Sequence, residues 1–139
     1  MLQLVRIEGE LPEGFEALRA EADSEGHRHM ARLATEVAET PELFIALLAA
    51  FDEGELLGIG GMTAEPTDPT AIRMRRLYVT QAARRRGVAR AIASALLNEA
   101  LAQTRLVTVH SGNPGAEGFW EAVGYAPVAG RPWSHQFTH

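Results

Sequence analysis

Leu77-Tyr78-Val79-Thr80-Gln81-Ala82-Ala83-Arg84-Arg85-Arg86-Gly87-Val88-Ala89-Arg90 is the stretch that decides the fold. It starts as the end of a strand (Leu77, Tyr78, Val79), passes through a short basic loop and opens a helix near Gly87. At that junction Arg84-x-x-Gly87-x-Ala89 sets small residues and a cation around backbone N–H groups that have no intrahelical acceptor. Free amides with partial positive charge make a helix N-terminus an anion site, and small residues let a phosphate come close to the backbone. The pattern predicts that a pyrophosphate sits here, with Arg84, Arg85, Arg86, Gly87, Val88, Ala89 and Arg90 around it.

Downstream, Val88, Ile92 and Leu96, with Ala93, Leu97, Ala100 and Leu101 offset by one, give a wide apolar face. That spacing predicts one long helix reaching about Gln103. Arg105 to Val109 follows as a short strand. Strand, helix and strand with no room for a hairpin imply a parallel crossover, with ligand at the strands' C-terminal ends, where Val79 and His110 lie. Ser111 to Gly115 reads as a loop and Pro114 to Val123 as a closing helix, with Gly124 as its left-handed cap. Tyr125 to Val128 and Trp133 to Thr138 read as two last strands.

Upstream, the strand Ala71 to Val79 breaks its own phase. Ile72 and Met74 share one parity while Leu77 and Val79 share the other, and a regular pleat cannot put all four on one face. An extra residue near Arg75-Arg76, a β-bulge, restores the phase; a strand buried on both faces at one end is the alternative. Nearer the N-terminus, Leu2 to Ile7 reads as a strand. Helices are expected from about Glu13 to Ser24 and over the stripe Met30, Leu33, Ala34, Val37. Leu43 to Phe51 is almost continuously apolar, a buried strand unless it is a helix. Turn residues Asp52 to Glu55 then lead into a second strand, Leu56 to Thr63. Gly58, Gly60 and Gly61 in it suggest a bulge or a close approach. Glu65 to Pro69 is expected to be a loop.

A chain of 139 residues suits one domain with one sizeable core. There is no Cys, which removes disulfides, thiolate metal sites and a cysteine nucleophile. No apolar run approaches the roughly 20 residues of a membrane span, and the first residues lack the pattern of a secretory signal; a cytoplasmic protein with no membrane partner is expected. The net charge of −5 argues against a general nucleic-acid binder. Its distribution is uneven: of 13 basic residues, all Arg, seven fall between Arg73 and Arg90. Such a cluster is either a solvated face or a phosphate patch.

The strand, Arg84-x-x-Gly87-x-Ala89 and an amphipathic helix resemble the acyl-coenzyme A binding motif of the GNAT superfamily of N-acetyltransferases. A second similarity lies in Asn113 and then Phe119-Trp120-Glu121-Ala122-Val123-Gly124-Tyr125. The resemblance covers Ile72 to Val128. It implies an α/β (α+β) fold: a mixed, largely antiparallel sheet of six to seven strands, a central parallel pair splayed by a β-bulge, and about four flanking helices. It also implies acetyl-CoA as cosubstrate with no metal, an amine acceptor, and the option of a homodimer through the final strands.

In that frame backbone N–H groups around Leu77, Tyr78 and Val79 polarise the thioester. His110 is the candidate general base. Many relatives carry a Tyr in the closing helix where this chain has Trp120, and an indole N–H is no practical acid. Tyr78, His110, His135 or a water then protonates the leaving thiolate, or the thiolate leaves unprotonated. Trp120 packs against the pantetheine arm or in the core. Asn113 bonds the cofactor's amides or holds its own turn. His27, His29, Glu36 and Glu39 are candidate acceptor contacts. The leading expectation is an N-acetyltransferase for a small-molecule or peptide amine. The alternative is a catalytically weak or inactive acyl-CoA-binding sensor or scaffold.

Overall fold

The computed structural model describes the backbone of residues 1–139 and every side chain but that of Pro114. In chain order the elements are β1 (Leu2–Arg6), α1 (Phe15–Ser24), α2 (His29–Glu39), β2 (Phe44–Asp52), β3 (Glu55–Glu65) and β4 (Asp68–Val79). Then come α3 (Val88–Leu101), β5 (Leu106–Val109), α4 (Pro114–Ala122), β6 (Ala126–Pro127) and β7 (His135–Thr138). Short 3-10 turns occupy Pro41–Leu43 and Gln81–Ala83.

The seven strands form one sheet in the order β1-β2-β3-β4-β5-β7-β6. Every pairing is antiparallel except β4 with β5, the pair joined by the α3 crossover. The apolar stretch before Asp52 is the strand β2, because β1 and β3 pair with its two edges and helices cover its two faces. Its side chains alternate between two cores. Ala46, Leu48 and Ala50 pack with Ile92 and Leu96 of α3, while Leu47 and Ala49 pack with Leu18 of α1 and Leu33 of α2. β2 returns into β3 through Glu53 and Gly54, both at positive φ, the primed hairpin geometry that follows the twist of the strands.

The β3–β4 pairing contains the extra residue that the parity of β4 requires. Ile59 opposes Tyr78 and Gly61 opposes Arg75, so two steps along β3 match three along β4. Arg76 sits inside that interval at φ 63, a left-handed conformation uncommon for a non-glycine residue. The bulge re-phases the strand: Ile72, Met74, Leu77 and Val79 all belong to the α3 side, and Tyr78 belongs to the side of α1 and α2.

The glycines of β3 are explained by close approach. A Cβ on Gly60 would lie 2.9 Å from Cγ2 of Ile92, and one on Gly58 would lie 2.9 Å from the carbonyl oxygen of Tyr78. Helix α3 and the end of β4 therefore come within a distance that only a bare backbone allows.

One expectation is corrected. Glu65 to Pro69 is not a loop: Glu65 ends β3, Asp68 opens β4, and only Pro66 and Thr67 turn. The two carboxylates make this short turn stable. Glu65 Oε2 accepts from the backbone N and the hydroxyl of Thr67, and Asp68 Oδ1 accepts from those of Thr70. The last strands are also shorter than their patterns suggest, β6 spanning only two residues.

Gly58→Ala is expected to destabilise the fold by about 1–3 kcal/mol through overpacking against a carbonyl that cannot move freely. Gly118→Ala, in an open position of α4, should be neutral or stabilising by up to ~1 kcal/mol. Urea unfolding of both variants checks the pair; equal stability would contradict the close approach.

Candidate active site

The parallel ladder between β4 and β5 is short. It runs from Ile72↔Val107 to Met74↔Val109 and stops at the bulge. Beyond it β4 stays paired with β3 through Tyr78 and Val79, while the chain after β5 turns away through His110, Ser111 and Gly112. The strands part at their C-terminal ends, and a cleft of about 600 Å³ opens between them, with Leu77, Val79, His110, Asn113 and Trp120 in its walls. Thr80 N–H donates to Leu57 O across the β3 side. By strand alternation Tyr78 also faces β3, and the backbone of Leu77 and Val79 faces the cleft. Consistently, the Val79 carbonyl accepts from Arg84 Nε at 3.1 Å rather than from β3.

Where the cleft meets α3, the backbone is rich in unused donors. The first helical bond is Ala91 N–H to Gly87 O, and α3 has no side-chain cap. Among the described residues no hydrogen bond engages the N–H groups of Arg85, Arg86, Gly87, Val88, Ala89 or Arg90. Arg85 at φ 66 and Gly87 at φ 80 bend this run into the alternating geometry that gathers successive amides around an anion. A Cβ on Gly87 would meet nothing within 4 Å, so the approach is open. The donor set and the open space fit a phosphate group.

The arginines of the loop divide into two kinds. Arg84 is a strut: its guanidinium grips Glu25, the residue that caps the C-terminus of α1, with both ends, at 2.9 and 2.8 Å. That grip, with hydrogen bonds from Tyr78 and Gln81, holds the Glu25 carboxyl down at about 2. Arg86 pairs with Asp52 at 3.1 Å. Arg85 and Arg90 are exposed and carry no ion pair among the described residues.

His110, on the wall opposite Leu77 and Val79, bonds through Nε2 to Glu65 Oε1 at 2.6 Å. Glu65 is 1% exposed. Burial alone would raise its carboxyl, but hydrogen bonds from His110, the Thr67 backbone, Thr108 and the Thr67 hydroxyl outweigh that and bring it down to about 2. An ionised carboxylate only accepts, so Nε2 carries a proton and the free lone pair of neutral His110 is at Nδ1. A buried carboxylate that fixes the tautomer of an imidazole at a cleft is the arrangement of an oriented base.

The other candidates have definite places. The Tyr78 hydroxyl donates toward Glu21 Oε2 at 2.7 Å and also bonds Glu25. Burial and these two carboxylates push its ionisation far up, and its proton points at α1 rather than at the cleft. Asn113 caps α4 by accepting from Gly115 N–H at 2.9 Å. Trp120 is 8% exposed and meets Phe119 and Tyr125 edge-on at 5.0 and 5.2 Å; it is a core residue whose surface also walls the cleft. His135 is buried between Ser134 and Glu121, outside the cleft walls. His27 and His29 reach the cleft beside Tyr78, and burial lowers the pKa of His29. Glu36 is bound at both oxygens by Arg76, each at 2.8 Å, and Glu39 is exposed and outside the cleft walls.

Sequence reasoning missed Glu65, Glu21 and Glu25. Glu65 stood in an apparent loop, Glu21 lies off the apolar stripe Phe15, Leu18, Ala22 of α1, and Glu25 falls just past the helix end. No short-range signal marks any of them.

The family model of the acetyltransferase (GNAT) family matches residues 9–125. Among solved structures, a protein of Exiguobacterium sp. 255-15 assigned provisionally to the acetyltransferases superposes with a TM-score of 0.89. It is 22% identical, over 99% of this chain and 93% of that one. YhbS, a GNAT family N-acetyltransferase of Escherichia coli solved in complex with CoA, gives a TM-score of 0.71 at 16% identity, over 99% and 81% of the two chains. An aminoglycoside acetyltransferase from an uncultured soil metagenomic sample gives 0.67 at 17% identity, over 94% and 95%. At such identities the likeness speaks for the fold alone. A search of curated proteins finds no match. A family model that spans most of the chain, over the same splayed strands and helix start that form the cleft, places the protein in the acetyltransferase (GNAT) family.

Proposed function

We propose that this chain is an acetyl-CoA-dependent N-acetyltransferase acting on an amine of a small molecule or peptide, as one acyl-CoA-binding domain in the cytoplasm. The observation that carries the reading is the run of unengaged amides from Arg85 to Arg90 at the mouth of a cleft between parted parallel strands. Acetyl-CoA supplies an acetyl group activated as a thioester.

The residues divide the remaining work. Amides of the Gly87 turn hold the pyrophosphate, with the exposed Arg85 and Arg90 as countercharges. The Leu77 and Val79 N–H groups face the cleft and orient the thioester carbonyl. An amine acceptor of ordinary pKa near 10 is mostly protonated at neutral pH. His110 takes its proton at Nδ1 while Glu65 holds Nε2–H and steadies the resulting imidazolium. Trp120 lines the arm's path and offers no transferable proton; Tyr78 has committed its own to Glu21 and Glu25. Protonation of the leaving thiolate then falls to the His110 imidazolium or to water. The sensor reading draws on the same Trp120. Thiol release from acetyl-CoA with an amine panel decides between them: release supports the transferase, and tight binding without release supports the sensor.

Three outcomes are expected. Gly87→Asp keeps a residue type that tolerates positive φ but sets a carboxylate in the cradle. It should weaken acetyl-CoA binding at least tenfold more than Gly87→Asn, read by calorimetric titration; equal affinities would refute the placement. His110→Ala should lower kcat/KM by about 10²–10⁴ at neutral pH, with the loss shrinking as pH nears the acceptor's pKa and free amine becomes abundant. A loss independent of pH would retire the base assignment.

The third outcome concerns stability. Glu65 ionises at about 2 in the fold against 4.5 in a free chain. As pH falls the unfolded chain binds the proton first, so this stabilisation is full above about pH 5 and fades toward pH 2. Glu65→Gln should flatten the fall of stability over that window in urea unfolding. An unchanged acid limb would contradict the buried carboxylate's role.

A further inference from the structure

The face of the sheet turned toward α1 and α2 is covered by helices only in part. Their apolar side chains pack over β2, β3 and the end of β4, and β5 and β7 continue beyond them. Ile72 and Met74 point to the α3 side, so Arg73 and Arg75 point to this one. Arg73 makes no hydrogen bond among the described residues, and its Nε and that of Arg75 are buried without a partner. The one bond from Arg75 is a long 3.4 Å contact to the neutral hydroxyl of Thr63. Burial, and for Arg75 next the charge of Arg73, lowers both guanidinium pKa values. Two half-buried cations therefore stand side by side without a bound carboxylate, an arrangement that costs stability unless something anionic visits it.

Their surroundings add to the same sign. Arg76 leans on Glu36 at the edge of a groove of about 610 Å³, to which Arg32 of α2 and Arg28, just before that helix, also contribute. Neither of these has an ion pair among the described residues. Glu36 and Glu65 are the two carboxylates that act on Arg73 and Arg75, and both are already used, by Arg76 and by His110 with its threonines. On a chain of net charge −5, this region is strongly positive. It adjoins the catalytic cleft, since His110 bonds to Glu65 and also walls the cleft.

We infer that the acceptor is a small amine that also carries a negative group, a carboxylate or a phosphate, bound by Arg73 and Arg75 while its amine reaches His110. This rests on the transferase reading of the cleft and names the substrate class for it. The guanidinium fork matches both anions. The local field disfavours polyamines and aminoglycosides, which would bring like charge to an arginine-lined wall.

The test uses matched amines: glutamate against glutamine, glucosamine 6-phosphate against glucosamine, and spermidine. Thiol release should show kcat/KM at least tenfold higher for an anionic member than for its neutral partner, and least for spermidine. The glutamate and sugar-phosphate arms tell carboxylate from phosphate. The Arg73→Gln/Arg75→Gln double variant should erase that preference by raising KM for the anionic amines, with the thermal shift with acetyl-CoA retained. Arg28→Gln, at the exposed residue that precedes α2, should reduce the preference while leaving the core untouched. Equal or better use of neutral or cationic amines by the wild type, or a preference that survives the double variant, overturns the inference. Titration of the same amines into the protein alone separates the two claims. Tighter binding of the anionic members, lost in the double variant, upholds the anionic class even without thiol release, and absence of any acetyl-CoA shift counts against the transferase reading.

Discussion

Arg76 is one residue more than the β3–β4 ladder has room for, and the chain absorbs it by a left-handed turn of backbone at φ 63. Such a conformation in a non-glycine residue costs on the order of 1–3 kcal/mol. It persists because the side chain it throws out is gripped at both ends by Glu36 of α2, a half-buried, two-point ion pair of the kind with good geometry and restricted freedom. The bulge therefore does two things at once. It anchors α2 to the sheet, and it ends the parallel pairing of β4 with β5 at Met74. Without that early ending there would be no cleft between the central strands, and His110 would lie against a continuous ladder.

Charge is arranged around the opening in a consistent way. The end of β4 is tied to α1 by Glu21, which accepts from Thr80 and from the backbone of Gln81, and by Glu25, which holds Arg84. These bonds fix the basic loop at its start and leave the amides from Arg85 onward unspent. On the other wall Glu65 is saturated by threonines and His110, so its charge orients the imidazole. Carboxylates in this protein hold the walls of the cleft in place, which leaves amides and arginines as its unengaged donors.

Much of this was legible in the sequence because it rests on local patterns. The parity break between Met74 and Leu77 announced the bulge. The small residues at Gly87 and Ala89 announced the open helix start, and Gly124, at φ 109, announced the end of α4. What escaped notice depends on contacts between distant parts of the chain. Glu65 meets His110 across 45 residues and Arg84 meets Glu25 across 59, and nothing near either residue hints at its partner. The arginine cluster shows the same limit: as a sequence it was one patch, whereas the fold sends Arg76, Arg84 and Arg86 to carboxylates, Arg85 and Arg90 to solvent, and Arg73 and Arg75 to the uncovered part of the sheet face turned toward α1 and α2.

The central claim is that the backbone from Arg85 to Arg90 is the phosphate cradle of an acyl-CoA site. Amide nitrogen-proton spectra recorded during titration with acetyl-CoA test it most directly. The account predicts large shifts, and slowed hydrogen exchange, concentrated in those six amides and in Leu77 and Val79. Saturable binding that leaves these signals unmoved while another surface responds would contradict it.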